Sequence, residues 1–117
     1  MTGSEELLVL GSHILSVEIA DVAEQAGWHV AGFVENLDRE RCREQLEGLP
    51  VIWVDELAEL AGSHVAVFGL GTTQRSRFVD QAAAAGMRFA TVVHPTAVVS
   101  PRATIGRGCV LGAHTVV

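Results

Sequence analysis

A chain of 117 residues that is 49% hydrophobic and 19% charged, with no low-complexity tract, has the composition of one globular domain with a real core. Its formal charge of −6 argues against a general nucleic-acid surface or a surface for anionic membranes. No apolar run approaches the roughly 20 residues that span a bilayer, and no signal peptide precedes the first strand pattern. Cys42 and Cys109 lie in unrelated contexts, which suggests a reduced, cytoplasmic setting without a disulfide framework. CxxC and HxH spacings are absent, so no metal site is expected.

Leu7 to Leu10 form a short apolar run ending at Gly11, which suits a buried parallel strand. Ser12 is placed to cap a helix running to about Ala26, with Leu15, Ile19, Val22, Ala23 and Ala26 on its inner side and Gly27 as its stop. His29 to Val34 is a second strand, ending at Glu35-Asn36. The charged stretch LDRERCREQLEG, residues 37–48, reads as a solvated loop or short helix. Pro50 to Trp53 is a minor edge strand, and Asp55 to Leu60 a short helix stopped near Gly62. Val65 to Phe68 is another buried strand, followed by Gly69-Leu70-Gly71. Thr72 or Thr73 then caps a helix to about Ala85, which Gly86 ends. Phe89 to Val93 is the final strand of this series.

From Val93 the period changes. Val93, Val99, Ile105, Leu111 and Val117 recur at steps of six, and the small residues Ala97, Ala103, Cys109 and Thr115 follow the first four at a fixed offset. Gly106 and Gly112 directly follow two of the aliphatics. Period six fits neither helix nor simple strand; it is the signature of a hexapeptide β-helix, one unit per flat face. The stretch amounts to little more than one three-sided coil. Repeat arrays need neighbours to bury their ends, so Val117 reads as a cut edge, with fraying or association expected there. Alternating strands and helices over the first part imply βαβ crossovers and a parallel sheet. The expected fold is α/β: a small Rossmann-like domain over 1–92, continuing without a linker into the first coil of a β-helix over 93–117.

Open parallel sheets bind ligands at the carboxyl ends of their strands. Three such ends carry suitable residues: Gly11-Ser12-His13, Glu35-Asn36, and Gly69-Leu70-Gly71-Thr72-Thr73 with Arg75 and Arg77 beyond. Helix N-termini favour phosphate, glycines admit a close approach, and hydroxyls add donors. Arg75 and Arg77 are two apart and cannot share a helix face, so Arg75 alone is taken as a ligand candidate. Glu35 is either a ribose ligand or a solvated strand end. The dinucleotide fingerprint GxGxxG is missing after the first strand, where the chain reads GSHILS, and Gly69-Leu70-Gly71 matches only its first half. Of the histidines, His13 is the candidate for direct substrate contact. His29, His64 and His114 read as surface residues, and His94 as a structural hydrogen-bonding group at the junction.

A Rossmann-like unit running through His94-Pro95-Thr96-Ala97-Val98-Val99-Ser100-Pro101 into hexapeptide repeats resembles the bacterial sugar acyltransferases of the sialic acid O-acetyltransferase and UDP-4-amino-sugar N-acetyltransferase type. The Gly69-Leu70-Gly71 loop with a following arginine also matches that pattern. The resemblance implies an acyltransferase of cell-surface glycan biosynthesis. Its N-terminal domain would bind a nucleotide-activated sugar, and its left-handed β-helix would form a homotrimer and hold acetyl-CoA between coils. The family's first loop reads G-x-S/G-G-H; here Leu15 falls where that histidine stands and His13 two places earlier. The family's catalytic histidine stands on a later coil, beyond residue 117. This chain is therefore expected to supply the sugar-nucleotide half, with His13 assisting, and to be inactive alone. The altered first loop leaves open a binding or trimer-scaffold module without sugar-nucleotide recognition. A stand-alone nucleotide- or CoA-binding protein is a third reading.

Overall fold

A computed structural model describes residues 6–68, 75–97 and 110–111. Strand β1 (Glu6–Leu10) leads into helix α1 (Ile14–Gln25) and strand β2 (His29–Glu35). A 3-10 turn at Arg39–Arg43 precedes β3 (Gln45–Leu46) and β4 (Leu49–Trp53). Helix α2 (Leu57–Leu60), β5 (His64–Phe68), α3 (Arg75–Ala84) and β6 (Arg88–Phe89) follow. The six strands form one sheet in the order β3-β4-β2-β1-β5-β6, parallel throughout except for the antiparallel β3 at its edge.

Each buried run becomes a strand covered on both faces. Along β1, Leu7 and Val9 join the core under α1, while Leu8 and Leu10 join the core under α2 and α3. Phe33 anchors the first face and Phe78 the second, and each burial stabilises by about 2 kcal/mol. Strict alternation would set Val30 and Phe33 on opposite faces. A register shift against β1, where Leu7 pairs with Val30 but Leu8 with Gly32, brings both onto the α1 face. Gly32 is needed at this shift, because a Cβ there would lie 2.7 Å from the Pro50 carbonyl oxygen.

Three expectations change. The inner face of α1 consists of Ser16, Ala20 and Ala23, while Leu15 is exposed and Ile19, Val22 and Ala26 only flank the core. Small side chains let the helix lie close to the sheet, so the larger aliphatics are turned to its sides. Residues 37–48 hold the 3-10 turn and also a hairpin, whose two-residue Glu47-Gly48 turn has positive φ at both positions (52° and 76°). That is the backbone of a type I′ turn, which matches the twist of its strands. Pro50–Trp53 consequently lies one strand in from the edge, covered by β3.

The predicted final strand is also two strands. β6 belongs to the large sheet, whereas β7 (Val92–Val93) leaves it and pairs in parallel with β8 (Val110–Leu111). Val92 is paired with Val110 and Val93 with Leu111, a separation of 18 residues, or three hexads. Residues 98–109 and 112–117 of the period-six stretch, including Cys109, His114 and Val117, lie outside the described residues. β7 stays attached to the first core, since Val92 is fully buried in the cluster under α1. His94, also buried, is hydrogen-bonded through Nε2 to the Gln25 side chain, and its Nδ1 accepts from the Thr96 amide at 3.1 Å. That fixes the ring proton on Nε2 and gives His94 the junction role expected of it. His29 is exposed and pairs with Glu6, while His64 is half-buried beside Ser63.

Candidate functional site

The sheet reverses its winding at β1, which has β2 on one side and β5 on the other. A crevice at that reversal is where α/β sheets of this type bind ligands. One of its two loops, residues 11–13, is described; Gly69, Gly71, Thr72 and Thr73 of the other lie outside the described residues, and Arg75 is placed only as the start of α3.

Gly11 ends β1 at φ 119°, a conformation open chiefly to glycine, and its amide donates to the Val34 carbonyl at 2.8 Å. This turn draws the loop toward the end of β2. Ser12 therefore does not cap α1. It is fully buried, its hydroxyl donates to Glu35 Oε1, and the N-cap position is taken by His13, which makes no side-chain cap. His13 is exposed beside the helix start.

Glu35 is only 4% exposed, so it is not a solvated strand end. Its Oε2 accepts from the Leu37 and Asp38 amides at 3.0 and 2.9 Å, and Arg41 Nε lies 3.6 Å from Oε1. Burial opposes the charged form, but the Ser12 hydroxyl, the two amides and the Arg41 guanidinium outweigh it and hold the carboxyl below its ordinary value. Both carboxylate oxygens are engaged within the protein, so a ribose would have to displace one of these partners. Asn36 donates to Gln81 Oε1 at 2.8 Å and ties the end of β2 to α3.

Sequence reasoning passed over Arg41. It reaches back from the 3-10 turn, donating from Nε to Ser12 Oγ at 2.8 Å and from Nη2 to the Ser12 carbonyl. The only signal was its place in a charged run, where a solvated arginine looks the same. Cys42 beside it is no ready nucleophile: burial, then the charges of Glu35 and Glu56, push its thiol up.

A cavity of about 570 Å³ opens between the start of α1 and the β3 hairpin, within the usual range for a small-molecule site. Ser12, His13 and Arg41 line it together with Ile14, Leu15 and Leu46. Of the predicted residues the structure brings together Gly11, Ser12, His13 and Glu35; Asn36 points to α3. Among the described residues no helix is long and apolar enough to cross a membrane.

No family model matches this sequence, and no curated relative does. Solved structures do match. The acetyltransferase domain of PglB from Neisseria gonorrhoeae, solved in complex with acetyl coenzyme A, is 29% identical with a TM-score of 0.81, over 97% of this chain and 56% of that one. The chain is similar in fold to an acetyltransferase domain. PerB from Caulobacter crescentus, solved with CoA and GDP-perosamine, is 21% identical with a TM-score of 0.80, over 96% of this chain and 53% of that one. RSP, a Rex-family repressor, is 12% identical with a TM-score of 0.59, again over 96% and 53%. The last two likenesses bear on the fold alone. This chain spans about half the length of each of these structures.

Proposed function

We propose that this chain is the substrate-binding part of an acetyl-CoA-dependent acyltransferase that acts on a nucleotide-activated sugar. The observation that carries the reading is the likeness to the PglB acetyltransferase domain across 97% of this chain. Residues 1–92 would hold the sugar nucleotide at the carboxyl ends of β1, β2 and β5. Gly11, Ser12 and His13 would form one wall, and Gly69, Gly71, Thr72, Thr73 and Arg75 the other. Glu35 and Asn36 would frame the floor, and His13, exposed at the helix start, is free to assist at the acceptor group.

Residues 93–117 would begin a left-handed hexapeptide β-helix. The 18-residue parallel register of β7 and β8 supports this, since one three-sided coil of hexads produces that spacing. Further coils would form a homotrimer, hold acetyl-CoA, and supply the base that deprotonates the attacking amine or hydroxyl. Acetyl-CoA would bring an activated acyl group; the residues here would bind and orient the acceptor.

A thermal-shift panel on the 117-residue chain tests the reading. Nucleotide sugars should raise the melting temperature, while acetyl-CoA and NADH should not, because their sites would not be formed in this chain. Stabilisation by NADH or CoA alone would favour a stand-alone cofactor-binding protein, and no shift with any ligand a scaffold module.

A further inference from the structure

Arg41 uses only two of its five N–H donors on the protein. Its guanidinium presents five N–H groups, arranged as a side-on fork (Nε with Nη2) and an end-on fork (Nη1 with Nη2). The side-on fork grips Ser12, at Oγ and at the backbone carbonyl. The end-on fork has no protein acceptor among the described residues, and the side chain is 37% exposed where it lines the cavity. The arginine is thus held rigid from one side and open on the other. A fixed planar fork takes a pair of adjacent acceptors: a carboxylate, a phosphate, or a base edge with two neighbouring acceptor atoms.

The rest of the lining decides among these. Ile14, Leu15 and Leu46 give the cavity apolar walls suited to a flat ring, and Ile14 is 82% exposed without a partner to cover it. Glu18 and Glu47 lie in the same lining, and neither is ion-paired to Arg41. Two carboxylates repel a phosphate or a carboxylate. They do accept hydrogen bonds, and a ligand matching this lining needs N–H donors on one edge and paired acceptors on another. Guanine has both: O6 and N7 accept from an arginine fork, and N1–H with the N2 amino group donate to a carboxylate. Uracil offers O4 beside an N–H, and adenine turns an amino donor toward the arginine.

We propose that the cavity between the start of α1 and the β3 hairpin reads the base of the ligand, with Arg41 as the residue that selects guanine. This rests on the nucleotide-sugar reading above and deepens it. Glu35 then acts as a positioning residue: it holds Ser12 and Arg41 in place and leaves the ligand to them.

Calorimetric titration of the 117-residue chain with GDP, UDP, CDP and ADP tests the proposal. GDP should bind at least about tenfold more tightly than UDP, the discrimination expected of one bidentate pair. Arg41→Lys keeps the charge and loses the fork, so GDP should fall to the level of UDP while UDP is unchanged. Glu18→Ala combined with Glu47→Asn leaves the grip on Ser12 intact, and it should weaken GDP severalfold without affecting UDP. This second variant keeps the test decisive if Arg41→Lys does not fold. Equal affinity for all four nucleotides in the parent chain would overturn base selection and leave the nucleotide site standing. Binding of none of them would overturn both, and a GDP preference that survives both variants would remove Arg41 and the two acids from the role.

Discussion

The two ends of α1 are both held by polar side chains, and they are held differently. At its start, a carboxylate, a hydroxyl and a guanidinium lock the loop that follows β1. At its end, the Gln25 amide meets a His94 ring whose proton is fixed by the Thr96 amide. The first lock is ionic and borders a cavity, where water screens the charges and a ligand can meet them. The second is neutral and joins two sheets, linking a buried His94 to an exposed Gln25. Charged groups hold the end that borders the cavity, and neutral hydrogen bonds hold the end where the two sheets meet.

Removing the charged centre should have the largest effect. Glu35→Ala leaves Ser12, Arg41 and two amides without their acceptor and should destabilise by about 3 kcal/mol, read as a fall in the urea midpoint. The same carboxylate sets an acid dependence. Its folded pKa lies below its unfolded one, so its contribution is complete above the unfolded value and is lost as pH falls through the folded one. Urea midpoints taken from pH 7 downward should therefore decline more steeply in the parent chain than in Glu35→Gln.

At the other end, His94→Ala removes a neutral hydrogen-bonding group and should destabilise by about 1–3 kcal/mol. It should leave nucleotide affinity within about twofold, because the two ends of a twelve-residue helix are roughly 18 Å apart. For the same reason Glu35→Gln and His94→Gln should add to within about 0.5 kcal/mol in the double variant. A larger coupling would mean that α1 transmits strain between its ends and that the separation drawn here is wrong. The smallest effect belongs to the exposed Glu40–Arg43 pair in the same charged run as Arg41. Glu40→Gln should change stability by less than about 0.5 kcal/mol in the same unfolding assay.

This contrast within one charged run shows where sequence reading stops. The central strands β1, β2 and β5 were legible because each is a mostly apolar run between turn residues, and Gly27 and Gly86 end their helices where expected. The inner face of α1 was not, because it packs by closeness: Ser16, Ala20 and Ala23 win over larger neighbours only once the sheet is beside them. The β3 hairpin was missed because Glu-Gly is a weak hairpin signal beside Asn-Gly or Asp-Gly, and the fold holds Glu47 at positive φ all the same. At the site, Gly11, Ser12 and His13 could be picked from their place after a strand. That Ser12 turns inward to Glu35, and that Arg41 turns back while Arg43 does not, depends on which groups the 3-10 turn brings near the end of β1. No local pattern encodes that.

The central claim is that the start of α1, with the end of β2 behind it, is a nucleotide-sugar site and that the His94 junction is not. Titrating the isotope-labelled chain with a GDP-linked amino sugar, followed by backbone amide and arginine Nε–H resonances, tests it most directly. The account predicts saturable shifts at Gly11 to Ser16, at the Arg41 side chain and at Glu47, with Gln25 and His94 to Ala97 unmoved. Saturable binding that shifts the His94 junction and leaves the start of α1 unmoved would contradict it.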